Sequence, residues 1–191
     1  MDAITMLRED HRQVEKLFKQ FEKLAKGGDE QAMRGVVDEI VTQLSVHAAI
    51  EEQVFYPAVR KWAEDTEDTV LEGLEEHHIV KWTLSELDGM KPSEERFKAK
   101  VTVLIESVRH HVEEEEQELF PAVREAVKRK DLQELGETLE AARKTAPTRP
   151  HPKAPDEPPG NLVANPGAAV DKTRDRIPLL GRRKPKAGGK S

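Results

Sequence analysis

A fourteen-residue segment occurs twice in this chain, as HAAIEEQVFYPAVR at residues 47–60 and as HVEEEEQELFPAVR at residues 111–124. Eight of the fourteen positions are identical, and both copies contain the spacing His-x-x-x-Glu. On an α-helix this spacing places the imidazole and the carboxylate one turn apart on the same face. The repeat therefore indicates a duplicated helix that presents the same polar side chains to one interior.

Each copy of the repeat follows a helical segment that carries its own histidine, His11 in the first half and His77 in the second. Each half thus offers two histidines and one glutamate. Helical bundles hold two metal ions with such sets of side chains, which project inward from facing helices. The duplication therefore predicts a metal site with two ions inside a helical bundle.

The composition limits which side chains could serve as ligands. The chain has 191 residues, enough for one ordinary domain and a tail, and it contains no cysteine. Disulfides, thiolate zinc sites, cysteine-ligated iron–sulfur clusters and cysteine nucleophiles are therefore excluded. Metal ligands must come from the seven histidines, the carboxylates and the single tyrosine.

Charge and hydropathy indicate the expected location of the protein and the classes of partner that it would not bind. The N-terminus lacks a basic region followed by an apolar core, and no apolar run approaches the ~20 residues that span a bilayer. We therefore expect a soluble, cytoplasmic protein with no membrane span. Residues 1–144 contain 21 basic and 33 acidic residues, a net charge of −12. A domain with this negative charge repels phosphates, so no specific nucleic-acid partner is expected.

Apolar residues recur every three and four positions up to about residue 144, which predicts an all-α protein without strands. The second helix is predicted to place Leu44, Val54 and Ala58 on its inner face. Short turns between long helices favour an antiparallel up-down-up-down four-helix bundle. Ser93 is the predicted N-cap of the fourth helix, and Asp131-x-x-Glu134 fits a capping box for a short fifth helix. The predicted helices cover residues 2–26, 29–63, 68–88, 93–130 and 131–144.

The C-terminal segment has a different composition. Residues 145–191 hold nine of the twelve prolines and carry ten basic against four acidic residues. This composition predicts a disordered, basic tail that follows a metal-binding domain of residues 1–144. The tail could make weak contacts with anionic lipid, nucleic acid or an acidic protein, or its charge could serve solubility alone.

The histidines follow the apolar stripes of the predicted helices. His11 lies between Leu7 and Val14, and His77 lies between Leu74 and Val80. A single histidine on such a stripe is more often a satisfied core residue than a ligand. Here four histidines lie on such stripes, and two of them are followed by a glutamate at the same position of the repeat. This pattern favours a metal site, because a bound dication removes the cost of burying unpaired carboxylates. The candidate ligands are His11, His47, Glu51, His77, His111 and Glu115, a donor set that suits iron, manganese or zinc.

These residues resemble the hemerythrin-like family, the HHE cation-binding domains. The resemblance covers roughly residues 2–130 and depends on His11, His47-x-x-x-Glu51, His77 and His111-x-x-x-Glu115. It implies two non-heme iron ions, with His11 and His47 mainly on one iron and His77 and His111 on the other. It also implies that Glu51 and Glu115 bridge the irons, together with an oxo, hydroxo or dioxygen-derived ligand.

The sequence departs from the oxygen-carrying members of that family at Lys81. Those members have His-x-x-x-His on the third helix, whereas a protonated lysine is a weak ligand. Reversible carriage of O2 becomes doubtful, and reaction with peroxide (a catalase-like activity) or with nitric oxide becomes the favoured function. An oxygen- or iron-sensing module, and a bundle that metal only stabilises or that stores iron, stay open as alternatives.

Tyr56 lies five residues after Glu51 and directly before Pro57. Regular α geometry would rotate this position away from Glu51, and the repeat mate Phe120 favours a purely apolar lid. Because Pro57 lacks an N–H, a local π-type turn could return Tyr56 to the metal face. Tyr56 is therefore a further candidate ligand, as a phenolate.

Several neighbouring residues leave the assignment of ligands open. A different helix register would make His78 the ligand in place of His77, or His110 the ligand in place of His111, although the repeat favours His77 and His111. Glu15 could pair with Lys81 or reach a metal, although a solvated charge is the default expectation. The ferritin-like alternative requires Glu-x-x-His on two helices, and only Glu75-x-x-His78 fits, so this alternative is rejected.

Overall fold

The computed structural model describes residues 1–156 and 158. Within these residues every regular element is helical, and the long helices form the predicted antiparallel four-helix bundle with an additional helix. The second and fourth helices of the bundle each change from α to π to α geometry without a break. The elements are α1 (Ala3–Gly27), α2 (Glu30–Ile50), a π segment (Glu51–Phe55), α3 (Tyr56–Trp62), a 3-10 turn (Glu64–Thr66), α4 (Glu67–Gly89), α5 (Phe97–Glu114), a second π segment (Glu115–Leu119), α6 (Phe120–Ala126) and α7 (Arg129–Arg143).

Capping side chains determine where the first two helices begin and end. Asp2 accepts a hydrogen bond from the backbone N–H of Thr5 at 2.9 Å, which satisfies one of the free donors of the first turn. Gly28 ends α1 in the left-handed conformation (φ 77°), and its N–H bonds the carbonyl of Leu24. Asp29 then caps α2 through the N–H of Ala32. These ends lie within two residues of the predicted ones.

Two predicted helix starts are wrong. The fourth helix begins at Phe97 rather than after Ser93, because residues 91–96 form turns in which Phe97 N–H bonds the carbonyl of Glu94. The same helix ends at Ala126 rather than at residue 130. The N-cap of α7 is Lys128 and not Asp131, since helical hydrogen bonds already start with Leu132 N–H to the Lys128 carbonyl.

A polar layer separates two apolar cores along the bundle axis. One core contains Leu7, Ile50, Leu74 and Leu119. The other core lies on the opposite side of the four histidines. The layer between them is formed by His11, His47, His77 and His111 with Glu51 and Glu115, all at most 6% exposed. The members of the second core that border this layer are Val14, Leu44, Val80 and Val108.

The π segments shift the register of the second and fourth helices by one residue. Tyr56 N–H bonds the carbonyl of Glu51, five residues back. The widened turn places Phe55 and Val59 in the core and leaves Val54 and Ala58 only partly buried, so the predicted inner face is wrong at these two positions. The predicted π turn before proline is confirmed in the first repeat, and the second repeat contains the same turn before Pro121.

The helix α7 covers one end of the bundle. Leu132, Leu135 and Leu139 are buried in the core that contains Leu7. A Cβ atom at Gly136 would overlap the backbone carbonyl of Met1, so only glycine permits this close approach.

The chain continues along the bundle after α7, past the predicted boundary at residue 144. Ala146 is 1% exposed, and Arg149 donates to Thr42 Oγ1 at 2.9 Å and pairs with Asp88 at 3.5 Å. The prediction of a disordered tail falls mostly on residues 159–191, outside the described residues.

None of the described helices is both long enough and apolar enough to cross a membrane.

Candidate metal centre

The structure brings six of the predicted ligands together in the polar layer. The buried donors form two groups that share Glu51, and within each group the donor atoms all lie within 4.8 Å of one another. Each helix of the bundle contributes one histidine. The first group is His11, His47, Glu51 and Glu115, and the second is Glu51, His77 and His111.

The two glutamates lie between histidines of opposite halves. Glu51 Oε2 is 3.1 Å from His47 Nε2 and 3.3 Å from His77 Nε2. Glu115 Oε2 is 3.3 Å from His11 Nε2 and 3.6 Å from His111 Nε2. Each carboxylate therefore occupies a bridging position between the first and the second donor group.

The donor atoms that face each other in this layer have few hydrogen-bond partners. Both carboxylate oxygens of Glu51, one oxygen of Glu115, and the Nε2 atoms of His11 and His47 are buried without a hydrogen bond. Buried polar groups are normally satisfied, because an unsatisfied one costs desolvation energy. Imidazole nitrogens and carboxylate oxygens left without partners are donors that bind a divalent cation. The residues present therefore fit the metal pair that the sequence predicts.

A ring of four acidic side chains holds the outer nitrogens of the four histidines. Each Nδ1 lies against a carboxylate supplied by the neighbouring helix, and the ring closes from α5 back to α1. The contacts are His47–Asp10 at 3.4 Å, His77–Glu52 at 3.2 Å, His111–Glu76 at 2.7 Å and His11–Glu116 at 2.9 Å. A carboxylate at Nδ1 keeps the proton there and leaves Nε2 for a metal.

Basic side chains hold three of these four carboxylates in place. Arg143 of α7 bonds Asp10 at 2.6 Å, and Arg8 lies 3.7 Å from Glu116. Lys81 bonds Glu52 at 2.8 Å and 3.0 Å, and both side chains are less than one-tenth exposed. Lys81 therefore acts on His77 through Glu52.

Electrostatics favour charged groups in this layer despite its burial. Burial opposes a charge on His47, but the Glu51 carboxylate and the hydrogen bond to Asp10 outweigh it, so the pKa of His47 lies well above its usual value. Burial likewise opposes a charge on His77, yet the nearby Glu51 and Glu52 carboxylates raise its pKa to about 9. Burial would raise the pKa of Glu51, but the histidines lower it well below its usual range. The charged forms of His47 and His77 are therefore favoured by the carboxylates that face them.

Tyr56 reaches this layer through the π turn. Its hydroxyl donates to Glu115 Oε1 at 2.9 Å, and its ring lies 5.5 Å from the ring of His77. Burial and the neighbouring Glu115 carboxylate raise the pKa of Tyr56 well above its usual value. Gly73 lies opposite, where a Cβ atom would come within 3.1 Å of the hydroxyl. Phenolate ligation by Tyr56 stays a prediction.

The structure decides the register of the neighbouring histidines. His77 and His111 are buried, whereas His78 contacts Trp82 on the outer face and His110 is largely exposed beside Glu114. Of the alternatives left open for Glu15, the pair with Lys81 does not form. Glu15 instead bonds Arg109 across the seam between α1 and α5.

The sequence interpretation missed the four carboxylates at Nδ1. Glu116, for example, lies in a run of four glutamates and supports His11. A signal was present, because Glu52 and Glu116 follow the candidate ligands at identical positions of the repeat. Asp10 and Glu76 directly precede His11 and His77 in the same way.

Comparisons with known proteins agree with this arrangement. Residues 2–123 match the model of the hemerythrin HHE cation-binding domain family. A hemerythrin-like protein of Schizosaccharomyces pombe is 30% identical over 88% of this chain and 82% of its own length. A DNA nickase of Nostoc is 29% identical over 75% of this chain, which corresponds to only 39% of that protein.

A solved structure shows the same fold. The hemerythrin HHE cation-binding domain-containing protein of Mycobacterium kansasii has a TM-score of 0.65 at 24% identity, over 75% of this chain and 86% of its own. With the family model matching most of the bundle and the buried histidine–glutamate layer at its centre, this chain belongs to the hemerythrin HHE cation-binding family and is a metal-binding module.

Proposed function

We propose that this protein is a non-heme diiron protein that reacts with peroxide or nitric oxide, and that its specific reaction is catalase-like. Two molecules of hydrogen peroxide would be converted to water and dioxygen, so no external reductant is needed. The observation that carries the proposal is the pair of adjoining donor groups that share Glu51. A single structural ion would need only one such group.

The residues would divide between two irons as the resemblance to this family implies. His11 and His47 would hold one iron, His77 and His111 would hold the other, and Glu51 and Glu115 would bridge them. Adjoining iron ions supply electron exchange with small oxidants through the Fe(II)/Fe(III) couple. The protein's own part is to present Nε2 atoms and carboxylate oxygens inward in a layer enclosed by two apolar cores.

The ring of carboxylates at Nδ1 keeps the histidines in one orientation. Glu116, for example, accepts a hydrogen bond from the Nδ1–H of His11 and prevents the ring from flipping. Such support conserves the geometry of the site while its charge changes, because the imidazoles cannot rotate away from it.

The contacts of Lys81 favour reaction over reversible carriage of oxygen. Its ammonium group is held by both oxygens of Glu52. It therefore adds no nitrogen donor at the position where the oxygen-carrying proteins have a histidine. Compared with the site of the oxygen-carrying proteins, the second donor group here has one nitrogen fewer, which leaves room for an oxidant.

The first test is metal analysis of the protein purified after iron-replete expression, together with its absorption spectrum. Two irons per chain, with strong near-ultraviolet absorption, are expected. Evolution of dioxygen from peroxide would support the catalase-like reaction. Zinc, one metal or none would overturn the diiron proposal, and two irons without peroxide or nitric oxide consumption would overturn the reactive function.

A Tyr56→Phe variant tests the remaining candidate ligand. If the phenolate binds iron, the protein has a broad visible band that this variant lacks. The same spectrum in both proteins would restrict Tyr56 to its hydrogen bond with Glu115.

A further inference from the structure

A cavity of about 730 Å³ opens between α1 and α5 and ends against the four histidines of the polar layer. Its wall is mostly apolar. The larger apolar residues that line it are Val14, Phe18, Leu44, Val80, Val108 and Val112. Beside the cavity, ion pairs connect the two helices, since Arg109 of α5 bonds Glu15 and Glu22 of α1.

The cavity is far larger than a small oxidant requires. A water-sized molecule occupies ~30 Å³, so peroxide or nitric oxide would use only a small fraction of this space. Cavities of roughly 300–1,000 Å³ with apolar walls are typical of sites for small organic ligands. The lining on α1 extends from Arg8 to Lys19, about 16 Å along the helix axis at 1.5 Å per residue. That length fits an extended chain of about ten carbon atoms.

The cavity, including its exposed mouth, is lined by an excess of basic residues, whereas the bundle as a whole is acidic. The lining contains five basic residues and three acidic ones, a net charge of +2, whereas residues 1–144 have a net charge of −12. Lys16 is exposed at this mouth, and Arg12 beside it pairs with Glu9 on the outer side. The basic residues are Arg8, Arg12, Lys16, Lys19 and Arg109, and the acidic ones are Glu15, Glu113 and Glu116.

We infer that this cavity binds an organic anion with an apolar chain, of the class of a medium-chain carboxylate. The chain lies along the valine-rich wall, and the anionic head remains at the basic mouth. The inference deepens the proposed function by naming an organic ligand beside the centre, and it rests on that function for any chemistry performed there.

The test is calorimetric titration of the full-length, iron-loaded protein with hexanoate, octanoate and decanoate. The affinity is expected to rise about fourfold for each added methylene group, the factor that burial of one methylene supplies. Decanol, which has the chain without the charge, is expected to bind about tenfold more weakly than decanoate. Equal affinity across the series, or no binding, would overturn the inference. Equal binding of decanol would overturn the role of the basic mouth.

Two pairs of variants test the position of the ligand. Val108→Trp places a large ring in the cavity and is expected to reduce decanoate affinity at least tenfold, whereas Val103→Trp, on the exposed face of the same helix, is expected to leave it unchanged. Lys16→Glu at the mouth is expected to weaken binding several-fold more than Lys23→Glu, which lies outside the lining. The lysine pair alters only surface residues, so it decides the question even if Val108→Trp does not fold. Equal effects within the lysine pair would contradict the inference.

Binding and catalysis are measured separately, so the two proposals can fail separately. Peroxide turnover without decanoate binding would overturn only the organic ligand. Decanoate binding to protein that holds zinc and shows no turnover would overturn only the diiron function.

Discussion

At the residue scale, the centre depends on pairs in which one side chain holds another. Glu51 and Glu115 each face two histidines, and each histidine is held from behind by a further carboxylate. The orientation of each ligand is therefore determined by a residue that is not itself a ligand. Two predictions belong to this scale.

Glu52→Gln is expected to lower metal affinity by about 10–100-fold, the usual effect of losing a carboxylate behind a histidine ligand. Glutamine keeps an oxygen for Lys81, so the fold should survive, but it no longer fixes the Nδ1 proton of His77 with a negative charge. Competition with a chromophoric chelator measures the affinity. Glu39→Gln, on the exposed part of α2, is the control and should bind metal normally. Unchanged affinity in Glu52→Gln would contradict the supporting role.

Gly73→Ala is expected to destabilise the protein by about 1–2 kcal/mol, although alanine is the better helix former. The added Cβ would lie 3.1 Å from the Tyr56 hydroxyl, which is buried and held by Glu115 and therefore has little room to move. Gly35→Ala is the control, since nothing lies within 4 Å, and it should stabilise by roughly 0.5–1 kcal/mol. Urea denaturation compares the two. Equal stabilisation would show that Tyr56 moves freely.

At the element scale, helix ends and the two π turns position the side chains. The π turns begin at Glu51 and Glu115, and they place Tyr56 and Phe120 against the polar layer. Phe120 stacks on His11 at 5.8 Å, whereas Tyr56 brings a hydroxyl to Glu115. The repeat thus gives the same backbone to both halves and a different chemistry to each.

Asp2→Ala is expected to cost about 1 kcal/mol at neutral pH through loss of the cap on α1. Burial would raise the pKa of Asp2, but the hydrogen bonds from Thr5 and the charge of Arg124 lower it below 3.8. The contribution of the carboxylate is therefore fully present above that value and is lost as the pH falls through the lower folded-state pKa. Urea denaturation over this pH range should show the difference between wild type and Asp2→Ala shrinking in acid. A constant difference would show that the charge contributes nothing.

Gly136→Ala is expected to destabilise the packing of α7 on α1 by about 1–3 kcal/mol, because the new Cβ meets rigid backbone at Met1 and Ala3. Since Arg143 of α7 holds Asp10, which supports His47, metal affinity should fall as well. Denaturation and chelator competition measure the two effects. A variant as stable as Gly35→Ala would contradict the close packing of α7.

At the scale of the whole molecule, the polar layer divides the interior into two apolar cores. Buried donors without hydrogen bonds occupy the plane where those cores meet. The stability of the bundle is therefore coupled to what fills that plane.

Removal of the metal by a chelator is expected to lower the melting temperature, and added iron or zinc is expected to restore it. A ligand that binds only the folded state stabilises it by about 2.7 kcal/mol at a hundredfold excess over Kd. Zinc should restore stability but not peroxide turnover, which separates the structural from the redox contribution. Differential scanning calorimetry with metal analysis measures this. A melting temperature indifferent to metal would contradict the coupling.

Periodicity and spacing alone predicted the bundle, the six histidine and glutamate positions and the π turn before Pro57. These are local properties, because a repeat of three to four residues and a missing N–H act within one helix. The predicted start of the fourth helix and the predicted inner face at Val54 and Ala58 were wrong because these local properties describe only regular α-helix. A turn at residues 91–96 and a one-residue π shift change the register where composition gives little signal.

The tertiary structure alone decided which carboxylate supports which histidine and how Lys81 is used. Each Nδ1 contact joins two different helices, with a separation in the chain of 25 residues for His77–Glu52 and 105 residues for His11–Glu116. No spacing along a single helix can predict such a contact, because it depends on the relative rotation and packing of both helices. The sequence by itself thus determined which donors enter the interior, and the packing of the four helices and α7 determined how they are held and how the cavity reaches them.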